Sequence, residues 1–257
     1  DDIKVNQSLE DAKVKNLKYS RKFCFHSIKF LLTPNFTYEL FSQDNKSLSK
    51  SFSFESNIQT DKKPRVIVIG DQDIQDSFAT LKNKIKLQKV DMLIHLGDFS
   101  YEFTDFNGHK GDFFFEEYQE IFTSIPLVFC PGNHEAHNGF ELIRKRYQIP
   151  GSVMSNINDY HFLINETLFV SLDLFYLLYK EKIDEDQKQY FLFNKMSDTE
   201  ISTYFKTKIS DIVKANNPKW LVYYNHYPFY CNFYENKKNG YEHNCPDELR
   251  QKIKIIE

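Results

Sequence analysis

The sequence predicts an α/β fold: a mixed β-sheet layered with helices on its faces, preceded by part of a separate β-domain. Three observations point there. From Arg65 onward, apolar runs of strand length alternate with segments whose apolar residues recur at helical spacing. Before that point only short alternating segments occur. Four of the later strands end in polar loops, and open α/β sheets build their sites beyond the carboxyl ends of strands.

A chain of 257 residues can bury a real core, as one large domain or one domain plus part of another. Its net charge is only −3, with both signs interspersed, so no basic field argues for nucleic acid. Lys82, Lys84, Lys86 and Lys89 read as a solvated helix face. Twenty-five Phe and 16 Tyr against 8 Gly and 8 Pro disfavour disorder. No apolar run reaches the length of a membrane span, and Asp1-Asp2-Ile3-Lys4 is no signal peptide. Two readings follow: a cytosolic chain, or one whose leader has been removed. Cysteines and sequons favour the second. Of Cys24, Cys130, Cys231 and Cys245, the last two flank a polar loop, a spacing that suits a disulfide worth roughly 3 kcal/mol. Glycosylation sequons stand at Asn6, Asn35, Asn45 and Asn165, although an Asn-rich chain produces such triplets by chance. Together these features favour a secretory route, to a secreted or a lysosomal or vacuolar destination.

The elements follow in order. Residues 1–21 carry no clear pattern, whereas Phe23 to Phe30, Thr37 to Phe41 and Ser51 to Glu55 read as strands, with a turn at Asp44-Asn45-Lys46. Three short strands cannot close a sandwich. Residues 1–60 therefore read as part of a β-domain, with a linker at Thr60 to Pro64, and residues 61–257 as the main domain. Val66 to Ile69 reads as a strand buried on both faces. Ile74, Phe78, Leu81 and Ile85 share a helical face, Asp91 to Leu96 is the next strand, and Phe114 to Phe122 marks a second helix. Pro126 to Cys130 is a third strand, and Phe140, Ile143 and Tyr147 fit a short helix. Tyr160 to Ile164 and Leu168 to Leu172 form a hairpin around Asn165-Glu166, and helical patterns fill residues 184–215. Trp220 to Tyr224 reads as another buried strand, and Pro246 to Ile256 starts as a helix.

The chemistry sits at four strand ends: Gly70-Asp71-Gln72-Asp73, Gly97-Asp98-Phe99-Ser100-Tyr101, Pro131-Gly132-Asn133-His134-Glu135 and Asn225-His226-Tyr227-Pro228. A lone Gly-Asp after a strand is usually a turn or a helix N-cap, and a lone histidine near a core is usually a satisfied one. Four polar residues directly after a buried strand are rarer, because each needs a partner. Taken together, carboxylates, an amide oxygen, an imidazole and a phenol make a mixed O/N donor set suited to Fe, Mn or Zn.

Gly70-Asp71, Gly97-Asp98-x-x-Tyr101, Gly132-Asn133-His134-Glu135 and His226 resemble the ordered motifs of the calcineurin-like metallophosphoesterases. Tyr101, three residues after Asp98, is similar to the purple acid phosphatase branch. Leu32 to Tyr38 resembles a stretch late in the fibronectin-III-like domain of larger members, and the Cys231–Cys245 loop resembles the disulfide-closed loop of animal-type members. The resemblance implies a metallophosphoesterase domain in which Asp71, Asp98 and Tyr101 bind Fe(III). Asp98 bridges to a divalent ion (Zn, Fe or Mn) that Asn133 and His226 also hold. It implies an acid phosphatase acting on phosphomonoesters through a metal-activated water. His134 meets the phosphate or protonates the leaving alcohol, Glu135 orients His134, and His243 is a weaker candidate near substrate. A homodimer or larger extracellular assembly is compatible with it.

Two departures stand out. The first motif of the family usually reads Gly-Asp-x-Gly, and Asp73 replaces the last glycine: either its Cβ and charge retune the loop, or it caps the next helix. The family's Gly-His-x-His motif has no counterpart, since His26, His95, His109, His137, His161 and His243 include no His-x-His pair. A polypeptide ending at Glu257 is then expected to be weakly metallated and nearly inactive. The alternative function is a catalytically incomplete, phosphatase-like structural glycoprotein in an extracellular assembly. A phosphodiesterase of the same superfamily is a third reading, against which Tyr101 and the fibronectin-like segment argue.

Overall fold

The computed structural model describes residues 35–55, 63–73, 77–147, 159–191 and 193–228. The expected strand at 23–30, most of the linker at 60–64, the helix start at 246–256, Asn6, Cys24, His243 and the Cys231–Cys245 pair lie outside the described residues.

Strands β1 (Asn35–Tyr38) and β2 (Phe52–Glu55) pair antiparallel, with Phe36 opposite Phe54 and Tyr38 opposite Phe52. Their rings stack at 4.8 and 5.2 Å between centroids, the cross-strand contacts that hold such ribbons together. The first strand starts and stops earlier than its sequence pattern suggests. Phe41 makes only an isolated bridge to Ser47, and the Ser42 hydroxyl accepts the Lys46 N–H to close the turn. The Tyr38 hydroxyl donates to the Thr123 carbonyl at 3.1 Å and ties the hairpin to the larger α/β part.

Among the described residues, that part contains two three-stranded sheets. In the first, β3 (Val66–Ile69), β4 (Met92–His95) and β5 (Leu127–Phe129) run parallel in that order. Parallel neighbours need crossovers, supplied here by α1 (Ser77–Gln88), then by α2 (Asp105–Glu117) and α3 (Gln119–Phe122). The sequence pattern places the second helix near Phe114, and it begins a few turns earlier. The strand buried on both faces is β4; among the described residues only β4 pairs with β3, whose Val68 is 54% exposed, which corrects the expectation for Val66 to Ile69. An apolar run fits either place, and only pairing on both sides decides.

After α4 (His137–Arg146), β6 (His161–Ile164) and β7 (Thr167–Ser171) form the expected hairpin, with Asn165 at φ 52° in its two-residue turn. Next come α5 (Phe175–Tyr179), α6 (Glu185–Lys188) and α7 (Asp198–Asn216), then β8 (Trp220–Tyr224), parallel to β7. The second sheet is thus the mixed one. Helix α7 opens with a capping box: Ser197 Oγ accepts the Glu200 N–H, and the Glu200 carboxylate accepts the Ser197 N–H at 2.7 Å. Its Ile201, Phe205 and Ile209 face the core in phase. Strand β8 corrects a second expectation. Among the described residues only β7 pairs with it, Trp220 is 70% exposed, and Tyr224 alone is buried.

Side chains alternate along every strand. Met92, Ile94 and Val128 face Phe162, Ile164, Phe169 and Tyr224 from the second sheet. Leu93, Phe129, Leu168 and Val170 turn the other way, into a cluster with Phe114, Tyr118, Phe205 and other helix residues. The sheets therefore pack face to face and the helices cover their outer faces. Tyr160 locks the layers. Its hydroxyl accepts the Phe129 N–H at 2.8 Å and donates to the Phe129 carbonyl at 2.6 Å, satisfying both backbone groups of that residue on the side of β5 away from β4. No helix among the described residues is long and apolar enough to cross a membrane.

Candidate metal centre

Parallel pairing brings the carboxyl ends of β3, β4 and β5 to one edge, and the loops beyond them stay joined. The Asp71 N–H donates to the Gly97 carbonyl and the Gln72 N–H to the Asp98 carbonyl, both at 3.1 Å. Gly97 sits at φ 89°, and a Cβ there would overlap the backbone nitrogen of Gly132; a Cβ on Gly132 would overlap the Asp98 carboxylate. The β4 and β5 loops therefore touch backbone to backbone, which only glycine allows. Asp71 and Asp98 themselves adopt φ 53°, a left-handed conformation that costs about 1 kcal/mol for a residue with a Cβ.

What holds Asp98 in that conformation lies beneath it. Glu135 is fully buried, and its carboxylate accepts the N–H groups of Asp98 (2.9 Å), Phe99 (2.8 Å) and Gly132 (2.8 Å). Burial, then the Asp98 charge, pushes its carboxyl up to about 8, opposed by the three N–H donors. The same loop leans on the core through Phe99, which stacks on buried His95 at 4.1 Å. Burial, then His226, pushes His95 down to about 3, so it stays neutral and its Nδ1 accepts the Gly97 N–H.

The donor atoms converge above this floor. One ligand atom each from Asp71, Asp98 and His226 lie within 4.8 Å of one another. His226 Nδ1 is 2.7 Å from the Leu96 carbonyl, which only accepts, so Nδ1 carries the proton. In the neutral ring, the Nε2 lone pair then points at Asn133 Oδ1, 3.2 Å away, and at Asp98 Oδ2, 3.4 Å away. With the ring neutral, three acceptors face one another and repel, a repulsion that a proton or a metal cation between them relieves, so this donor set fits a metal ion. Burial raises the Asp98 carboxyl above its ordinary value, partly offset by His226 and His134. The Tyr101 hydroxyl donates to Asp71 Oδ1 at 3.1 Å. Burial, then the Asp71 and Asp98 charges, hold that phenol well above its ordinary value. All five residues expected to bind metal, Asp71, Asp98, Tyr101, Asn133 and His226, thus lie in one connected cluster.

His134 lies beside it. Its backbone N–H donates to Asp98 Oδ1 at 3.1 Å, its Nε2 is 3.7 Å from Asp98 Oδ2, and its ring packs edge-on to Tyr101 at 4.5 Å. The carboxylate on its Nδ1 is Glu102, not Glu135. The expectation that Glu135 orients His134 is corrected. Asn133–Glu135 is one 3₁₀ turn, in which successive side chains diverge by a third of a turn, so Glu135 points under the loops while His134 points out. Sequence reasoning also passed over Lys110, which donates to the Tyr101 carbonyl and lies 3.6 Å from Asp73. Nothing in the local sequence marks it, because the contact crosses from α2 to two different loops.

The family described as calcineurin-like phosphoesterase matches residues 64–255. Curated relatives are proteins named acid phosphatase type 7. The one from Homo sapiens is 28% identical over 174 residues, 65% of this chain and 36% of that protein. The Mus musculus protein gives the same figures, and the Danio rerio protein is 25% identical over 169 residues, 63% of this chain and 34% of that protein. The chain spans about a third of the length of the curated relatives it matches.

Proposed function

The chain belongs to the calcineurin-like phosphoesterase family, and from that premise we propose that the protein is an acid phosphatase hydrolysing phosphomonoesters at a two-metal centre. The observation that carries this reading is the convergence of His226 Nε2, Asn133 Oδ1 and Asp98 Oδ2 with no donor among them when the ring is neutral. The names of the relatives support the substrate class. Bound Fe(III) and a divalent ion (Zn, Fe or Mn) would supply an activated water and a clamp on the phosphoryl oxygens. In this reading Asp71, Asp98 and Tyr101 would hold the ferric ion, and Asp98, Asn133 and His226 the divalent ion. A cation held beside Tyr101 would oppose the burial and the Asp71 and Asp98 charges that raise its phenol, and so favour the phenolate. His134, with Nδ1 held by Glu102, turns Nε2 toward the cluster and in its protonated form delivers a proton to the leaving alkoxide. Glu135 keeps the loops in place by holding three backbone N–H groups.

The test is phosphate release by the full-length protein from an aryl phosphate monoester and from the corresponding diester, with metal content measured alongside. Monoester turnover is expected to exceed diester turnover and to fall about a thousandfold in Asp98→Asn, or about 4 kcal/mol. Turnover indifferent to Asp98→Asn would overturn the reading. Absence of both metal and turnover would favour a structural glycoprotein, and faster diester cleavage a phosphodiesterase.

The secretory route is part of the same proposal. Asn45 and Asn165 are exposed, each at the turn of a hairpin, the kind of surface position at which a glycan is carried. A glycosidase-sensitive change in mobility of the protein made in its own cells is the expected result.

A further inference from the structure

Asp73 stands where the family pattern has glycine, and its backbone explains that preference: φ is 52°, in the left-handed region. A side chain kept there against the backbone's preference has work to do elsewhere. Its Oδ1 accepts the Tyr101 N–H at 3.4 Å and lies 3.6 Å from Lys110 Nζ. Lys110, in the first half of α2, in turn donates to the Tyr101 carbonyl. The two polar groups of one residue's backbone are thus held by two side chains of opposite charge that also face each other. Both are sheltered, with Lys110 and Asp73 only 20% and 22% exposed. The Tyr118 hydroxyl donates to the Asp73 carbonyl at 3.5 Å, so the main chain of Asp73 is fixed as well.

We propose that Asp73 and Lys110 are positioning residues that clamp the Tyr101 backbone and thereby aim its phenol at Asp71. Neither needs to touch substrate. The role depends on the metal-centre reading above, but the contacts exist without metal and can be tested without it. A residue that merely supported the fold would lower stability and site order together. Asp73 should separate them, because glycine at φ 52° relieves the backbone while removing the clamp.

The experiment measures amide hydrogen exchange at Tyr101 and thermal unfolding on the full-length, metal-free protein, comparing wild type with Asp73→Gly, Asp73→Asn and Lys110→Met. Asp73→Gly is expected to unfold no earlier than wild type, while the Tyr101 amide exchanges about five- to tenfold faster. Lys110→Met should accelerate the same amide to a similar degree. Asp73→Asn keeps an acceptor but loses the charge facing Lys110, and should fall between. On ferric loading, the tyrosinate-to-iron absorption band should weaken or shift in the order of the exchange rates. Unchanged Tyr101 exchange in both Asp73→Gly and Lys110→Met overturns the clamp, as does a general loss of protection with earlier unfolding. A protein whose Tyr101 responds as expected but takes up no ferric ion overturns the metal-centre reading and leaves the clamp standing.

Discussion

Two glutamates approach the same few residues and do opposite things. Glu135 is fully buried beneath the site and its carboxylate accepts backbone N–H groups, whereas the Glu102 side chain is 50% exposed at the rim and meets a side chain. Burial makes the difference. A carboxylate sealed from water must be surrounded by donors, and three backbone N–H groups from two loops meet that need while fixing both loops. A carboxylate open to water has no such need, so its contact with His134 is worth little as stability and matters as direction. The floor sets where the backbone goes; the rim sets where an imidazole points.

Removing the floor should break this contrast most severely. Glu135→Ala leaves three N–H groups without their acceptor and is expected to lower unfolding free energy by about 3 kcal/mol. Urea midpoints would register it, and a loss under about 1 kcal/mol would mean that water replaces the carboxylate. Glu102→Gln is the milder counterpart. It keeps a hydrogen-bonding oxygen, removes the charge beside His134, and should change stability by no more than about 0.5 kcal/mol. Its effect should appear as roughly a tenfold lower kcat with KM nearly unchanged, because an orienting group acts on the chemical step. A tenfold rise in KM with constant kcat would place Glu102 in substrate binding instead.

The same contrast separates what the sequence discloses from what it conceals. Asp71, Asp98 and Asn133 are legible because each follows an apolar run, and parallel pairing must carry those strand ends to one edge, whereas His226 follows β8 of the other sheet and is legible from its apolar run alone. The phase of Ile201, Phe205 and Ile209 is legible because helical spacing is local. The partner of His134 is not, since sequence proximity favours Glu135 while the geometry of a single 3₁₀ turn sends it elsewhere. Exposure of β3 and β8 is hidden for a related reason: Val66 to Ile69 and Trp220 to Tyr224 read as core until it is known that each pairs with a single strand among the described residues. The Asp73–Lys110 contact joins residues from a loop and a helix, and no periodicity announces it.

Asp159 sharpens the comparison from a third side, being as buried as Glu135 but supplied with a cation. Its Oδ1 accepts the Asp173 N–H at 2.7 Å, and Lys208 Nζ lies 3.7 Å from its Oδ2. Burial pushes its carboxyl up to about 7, with Lys208 pulling the other way. The unfolded value lies near 4. Between those pH values the folded chain keeps a proton that the unfolded chain releases, so stability falls as pH rises from about 4 to about 7. Below and above that window both states agree and the slope vanishes. His95, held low, gives an opposite slope below its unfolded value, and Glu135 a slope of the same sign as Asp159, but both are common to wild type and variant and cancel in a difference. Asp159→Asn should therefore gain on wild type by about 3 kcal/mol between pH 4.5 and 7.5, at about 1.4 kcal/mol per pH unit inside the window. Urea midpoints of both proteins at the two pH values decide it. Parallel shifts would mean that Lys208 already keeps Asp159 ionised throughout, and that a paired cation, unlike three N–H groups, removes the cost of burying a carboxylate altogether.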